Sequence, residues 1–248
     1  MHVLVRQAAV ILDPDPSQQL ATRTAAIAAL TAALAAAADD IRGHPAIALE
    51  AQHARYIAST TPDPGLTADA LDLLGWLGRY DYRAGRYASA RDLQQRTYDT
   101  FRRVLGEDHP DTLESANNLA VMLEDLGELR GARDLQQRTY DSCRRVFGED
   151  HPNTLTSANN LASTLRALGD LGGARDLHQR TYDTCRRVLG EDHPNTLTSA
   201  TNLAIALHDL GDRGAAIALL SQVVQRRSPH HPLLPAERAA LERMQLAV

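Results

Sequence analysis

Three histidines, His109, His151 and His193, recur every 42 residues inside the same Gly-Glu-Asp-His-Pro run. Imidazole is a common metal ligand, so a shared metal is the first chemistry to weigh. A metal holds its nitrogens about 2 Å away. Equivalent residues of stacked helix pairs lie on the order of 10 Å apart, two helix diameters. That spacing assigns the histidines to helix starts and not to a metal. The same distance exceeds the roughly 7 Å between α-carbons that a disulfide bridges. Cys143 and Cys185, the two cysteines, are therefore expected to be reduced and packed, with Phe101 at the equivalent position one unit earlier. Tyr98, Tyr140 and Tyr182 recur at the same interval and are expected between helices. The arginine pairs 102/103, 144/145 and 186/187 are expected either as solvated helix ends or as a basic ridge for an acidic partner. Asn118, Asn160 and Asn202 form a fourth series. A side-chain amide both donates and accepts, so a ladder of amides suits an extended peptide backbone, or else ties one helix to the next. No Gly-x-x-x-x-Gly-Lys phosphate loop, His-Glu-x-x-His, Gly-x-Ser-x-Gly or zinc-spaced Cys/His cluster occurs, so neither an enzyme nor a cofactor is expected.

The elements that position these series follow from the repeat. Units beginning at Gly106, Gly148 and Gly190 are nearly identical, and an earlier one, Asp69 to Leu105, lacks the Gly-Glu-Asp-His-Pro start. Four units result, at about 67–105, 106–147, 148–189 and 190–228, between an N-terminal region, 1–66, and a C-terminal region, 229–248. Each unit reads as two helices. In the second, Leu113, Ala116, Leu119, Ala120 and Leu123 share one face of a helix from Pro110 to Leu126, because they fall at three- and four-residue steps. Gly127 ends it. The next helix, Leu129 to Val146, is expected to bury Ala132, Leu135, Thr139, Cys143 and Val146. Asp150 or His151 caps the helix after that, with Pro152 at its first position. One helix pair cannot bury its apolar face alone, and stacking gives a solenoid with a concave surface.

The pattern Asn-Asn-Leu-Ala, Leu-Gly, Ala-Arg-x-Leu, Arg-x-x-Gly-Glu-Asp-His-Pro resembles the 42-residue tetratricopeptide repeats of kinesin light chain. It also resembles the C-terminal repeats of bacterial STAND/NB-ARC-type signal-transduction ATPases. The expected fold class is all-α: a right-handed superhelical solenoid of tetratricopeptide helix pairs with helical caps. The resemblance places the second asparagine of Asn-Asn-Leu-Ala in a ligand-binding groove, which maps onto Asn118, Asn160 and Asn202, with Trp76 at the equivalent position of the first unit. Under the same mapping Arg79, Tyr82, Arg83, Val121, Glu124, Asp125, Ser163, Arg166, Ile205, His208 and Asp209 line the groove. The lining is chemically mixed.

Outside the repeats, Gln18 to Ala38 and Ala46 to Ser59 read as two helices, broken at Gly43-His44-Pro45 and followed by a turn to Gly65. They are either a degenerate capping repeat or a joining region. The start, MHVLVRQAA, resembles the segment that joins ATPase to repeats in the bacterial switch proteins. Pro229 to Pro232 stops the last unit, and Pro235 to Leu246 reads as a capping helix. The net charge of −5, with all 26 basic residues arginine, gives no overall pull toward nucleic acid. The first apolar run is too short for a signal or a membrane helix, so a cytoplasmic location is expected. The expected partner is a protein or peptide, with self-association as a further option. The expected role is the sensor part of a bacterial signal-transduction ATPase, or alternatively a free-standing scaffold that recruits an enzyme or transcription factor.

Overall fold

A computed structural model of the chain describes residues 16–37, 47–60 and 68–246. The MHVLVRQAA segment, the Gly43–Pro45 break and the turn ending at Gly65 lie outside them. Among the described residues every regular element is an α-helix. They are α1 (Pro16–Ala37), α2 (Ala48–Thr60), α3 (Ala68–Arg83), α4 (Tyr87–Leu105), α5 (Pro110–Asp125), α6 (Leu129–Phe147), α7 (Pro152–Ala167), α8 (Leu171–Leu189), α9 (Pro194–Asp209), α10 (Arg213–Arg226) and α11 (Leu234–Leu246).

The punctuation is local. Gly85, Gly106, Gly127, Gly148, Gly169, Gly190 and Gly211 stand 21 residues apart and all have positive φ, from 76° to 91°. Glycine adopts that conformation without a Cβ clash, so each half-repeat ends where one occurs. At the other end of the first helices, His151 and His193 are N-caps. Their Nδ1 atoms accept the Asn153 and Asn195 amides at 3.2 Å, with Pro152 and Pro194 next in line. His109 Nδ1 accepts from the Asp111 amide in the same way at 3.3 Å. The recurrent histidine is thus a capping device, used again at His231 before α11.

The chain divides into two compact units, 1–119 and 120–248, with the boundary inside α5. In the first, α1 and α2 pack on α3. Ile27, Leu30 and Leu34 of α1 and Ala51, Ala54 and Ile57 of α2 share a core with Leu73, Leu74 and Leu77 of α3. Asp81, fully buried, fastens this layer: Arg55 of α2 pairs with it, and Arg86 Nε and Ser89 Oγ donate to it at 2.9 and 2.6 Å. Burial works to raise the Asp81 pKa, but the hydrogen bonds from Arg55, Ser89 and Arg86 outweigh it and hold the carboxyl below its ordinary value.

In the second unit each helix from α6 to α11 packs on the next. Ala158, Leu161 and Ala162 of α7 meet Leu177 of α8, with Tyr140 and Leu165 against them. Small residues at the crossings, Ala132, Ala174 and Ala216, are wholly buried and let backbones approach. The expected stripe of α6 needs one correction. Val146 is 42 % exposed, and Phe147 instead closes the stripe by stacking on His151 at 4.6 Å between ring centroids. A turn of 3.6 residues after Cys143 falls closer to 147 than to 146. The last helix is held by a buried pair. Arg227 Nε donates to Glu237 Oε2 at 3.0 Å, and Thr201 Oγ1 of α9 donates to the same carboxylate at 2.9 Å.

Candidate functional site

The residues expected in the groove lie on the first helices of the repeats, α3, α5, α7 and α9. Two asparagines stand side by side in α7, and the structure separates them. Asn159 is spent on the protein itself. Its Oδ1 lies 3.3 Å from His178 Nδ1 of α8, and its Nδ2 donates to Ser199 Oγ of α9 at 3.3 Å. Ser199 Oγ in turn lies 3.5 Å from Cys185 Sγ. This chain joins three successive helices and sets the His178 tautomer, because an amide oxygen requires a proton on Nδ1. Asn160, the next residue, is half-buried, as is Asn202, while Asn118 is exposed. Among the described residues none of these three is hydrogen-bonded to a neighbour. The tie between helices therefore falls on the first asparagine of the pair, and the second is left available.

The other groove positions sort differently. Arg166 donates to Asp209 at 3.0 Å, and His208 Nδ1 lies 3.5 Å from the same carboxylate, so these three are brought together. Glu124 accepts from Thr164 Oγ1 at 2.6 Å. Ser163 and Ile205 are half-buried, and Val121 and Asp125 are exposed. In the first unit Tyr82 turns toward the α3–α4 corner, its ring 5.5 Å from Tyr87 in an edge contact, and Arg83 is exposed.

Trp76, Arg79 and Asn118 meet in one pocket of about 170 Å³, lined also by Leu71, Asp72, Gly75, Gln94, Thr97, Phe101, Asp111, Glu114 and Ser115. The Arg79 guanidinium sits 5.2 Å over the Trp76 ring. Burial, then the charges of Asp111 and Asp69, raise the Asp72 pKa above its ordinary value. Sequence reasoning missed Asp72, Asp111 and Glu114 because it stepped from the asparagine series only toward the helix C-terminus. Asp72 is four residues before Trp76, and Glu114 and Asp111 are four and seven before Asn118, on the same helical face.

The arginine series is largely neutralised. Arg102 pairs with Glu107 at 3.4 Å, Arg144 with Glu149 at 2.9 Å, and Arg187 Nη1 with Asp150 at 3.1 Å. The acids belong to the Gly-Glu-Asp-His-Pro turns, so the ridge carries its own counter-charges. Arg144 and Arg186 also lie over Tyr140 and Tyr182, at 5.5 and 5.6 Å. Both cysteines are free and buried, and burial pushes both thiols above their ordinary pKa. Among the described residues no group of three His, Cys, Asp or Glu side chains is placed to hold a metal, and no helix is long and apolar enough to cross a membrane.

A family model described as tetratricopeptide repeat matches residues 69–144, 115–184 and 158–228, more than half of the chain. Among solved structures, a kinesin light chain-type protein of Podosopora anserina with nearly identical TPR-like repeats superposes with a TM-score of 0.68 at 23% identity, covering 80% of this chain and 93% of that one. BtubC (BKLC) from P. vanneervenii superposes with a TM-score of 0.67 at 16% identity, covering 94% of each chain. These likenesses are likenesses of fold. A Hyaloscypha variabilis protein described as nucleotide-binding leucine-rich repeat (NLR)-like is 40% identical over 66 residues, which are 26% of this chain. The match spans only 7% of that relative's length.

Proposed function

We propose, since the chain belongs to the tetratricopeptide repeat family, that this protein-interaction module binds an extended peptide segment through Asn118, Asn160 and Asn202, and that it serves as the ligand-sensing part of a signal-transduction ATPase. The observation that carries the first half is the contrast within Asn159-Asn160: the first amide is consumed between helices, and the second is not. An uncommitted amide on a helix face is a ready partner for the alternating N–H and C=O groups of a bound backbone. Catalysis has no part in this reading. The sensor role is supported by the partial NLR-like relative and by the resemblance of MHVLVRQAA to an ATPase-to-repeat junction. In such a switch, a ligand acts by its differential affinity for two states of the protein.

The test is a pair of measurements on one set of variants. A partner is captured from native lysate, its binding segment mapped, and its affinity measured for Asn118→Ala, Asn160→Ala and Asn202→Ala beside their thermal midpoints. Each replacement should weaken binding by roughly 1–3 kcal/mol with little change in midpoint. Unchanged affinity with lowered midpoints in all three would rule the groove reading out.

A further inference from the structure

The pocket beside Trp76 exists because one repeat lacks a side chain the others have. Gly75 stands where the next units carry Asn117 and Asn159. In α7 that asparagine fills the space between helices and meets His178. In α3 nothing fills it: a Cβ built on Gly75 would have no atom within 4 Å. Gln94, at the position of His178, instead donates Nε2–H to the Gly75 carbonyl at 3.1 Å.

The hydrogen-bonding inventory of this space is one-sided. Asp72, Asp111 and Glu114 bring three carboxylates. Thr97 and Ser115 are buried, and their hydroxyl protons are given to the Leu93 and Thr112 carbonyls at 2.9 and 2.8 Å, which leaves only lone pairs for a visitor. Gln94 is 3% exposed, and among the described residues no donor meets its Oε1. The lining donors are Arg79, drawn over Trp76, the Trp76 indole N–H, the Asn118 amide and the second proton of Gln94 Nε2, and of these only Arg79 is charged. A pocket rich in acceptors, with three carboxylates against one guanidinium, is complementary to a cation that brings several N–H groups. Its volume of about 170 Å³ is well above the ~15 Å³ that one water requires.

We infer that this pocket receives a basic side chain of the bound partner segment, arginine before lysine, with Asp72, Asp111 and Glu114 facing its charge and Trp76 beside it. Arginine ranks first because its planar fork offers five donors to spread over several acceptors, where an ammonium offers three from one point. The inference rests on the groove reading above and adds the chemistry of what the groove accepts at its first repeat.

Trp76 is the one tryptophan of the chain, so its fluorescence reports the pocket directly. The full chain is titrated with acetyl-Gly-Arg-Gly-amide and with the citrulline tripeptide, which has the same shape and no charge. Arginine should give a saturable change at about 1–10 mM, the range of one desolvated ion pair with its hydrogen bonds. Citrulline should bind at least tenfold more weakly. Gly75→Leu, which places a strong helix former into open space, should abolish the change. The double variant Asp72→Asn/Asp111→Asn should weaken it at least tenfold, with helicity and thermal midpoint confirming the fold of both. Equal response to citrulline, no saturable change up to the same concentration, or full response in Gly75→Leu would each overturn the inference. Spermidine binding tenfold tighter than the arginine tripeptide would also overturn it, in favour of a free polyamine. Partner affinity of Asn160→Ala and Asn202→Ala reads the groove separately, since neither residue lines the pocket.

Discussion

Adjacent asparagines with opposite duties make the sharpest pair of substitutions. Asn159→Ala removes the acceptor of His178 Nδ1 and the donor to Ser199. A buried polar group stripped of its partner costs about 1–3 kcal/mol, so this variant should unfold at a clearly lower urea midpoint. Asn160→Ala should stay within about 0.5 kcal/mol of the parent. Equal losses in the two would contradict the division of labour. His178 itself predicts a pH dependence. Burial, then the charge of Arg166, lowers its pKa from 6.5 to about 4. The unfolded chain therefore binds a proton that the folded chain refuses between those values, and stability falls as pH drops from about 6.5 to 4. Gln94 and Gln136 occupy the same position in the preceding repeats. His178→Gln should accordingly remove roughly 2–3 kcal/mol of acid sensitivity, read from urea midpoints at pH 7 and pH 4.5.

Helices in this chain are started and stopped by devices a few residues long; a positive-φ glycine follows each helix from α3 to α9, while the starts vary. α7 and α9 begin on a histidine whose ring accepts an amide proton, and α8 and α10 on Asp170 and Asp212, whose carboxylates accept from Gly173 and Ala215. In His151→Ala, read from the urea midpoint, the lost capping acceptor alone should cost about 1 kcal/mol. The effect should exceed this, because Phe147 also loses its stacking partner. The terminal helix α11 depends on a different device, the Arg227–Glu237 pair, with side chains 1% and 3% exposed. Removing one partner leaves a buried charge unpaired, so Glu237→Ala should cost about 3–5 kcal/mol. Replacing both by apolar residues, Arg227→Met with Glu237→Leu, should restore most of that loss in the same denaturant titration. Failure of the double replacement to recover would place the stabilisation in the Thr201 contact instead.

For the chain as a whole, the thiols offer a probe of opening. Cys143 is 0% and Cys185 1% exposed, and burial keeps both in the unreactive protonated form. A disulfide reagent should therefore leave both untouched in native buffer and modify two per chain in denaturant, with the native rate following the rate of opening. Prompt native labelling of either would contradict the packing. In a repeat array each unit contacts only its neighbours, so labelling of Cys185 should rise when Asn159→Ala weakens the His178–Asn159–Ser199 connection next to it.

Much of this architecture was legible before any coordinates because it is local and repeated. Glycine at 21-residue intervals, proline after histidine and apolar residues at three- and four-residue steps specify helix pairs through backbone sterics, capping and burial. Each of these acts within a few residues, and multiplication by the repeat makes each signal unmistakable. The place of His151 and His193 at helix starts and the free, packed thiols were readable for the same reason, while the choice of His151 over Asp150 as the cap came from the structure. Three-dimensional packing alone decided what distant residues do together. The pocket needs Gly75 and Trp76 of α3, Gln94 of α4 and Glu114 of α5 at once, and its cause is an absent side chain, which a pattern search over present residues does not see. The choice between Asn159 and Asn160 as the helix tie likewise depends on where His178 and Ser199 arrive, 19 and 40 residues away.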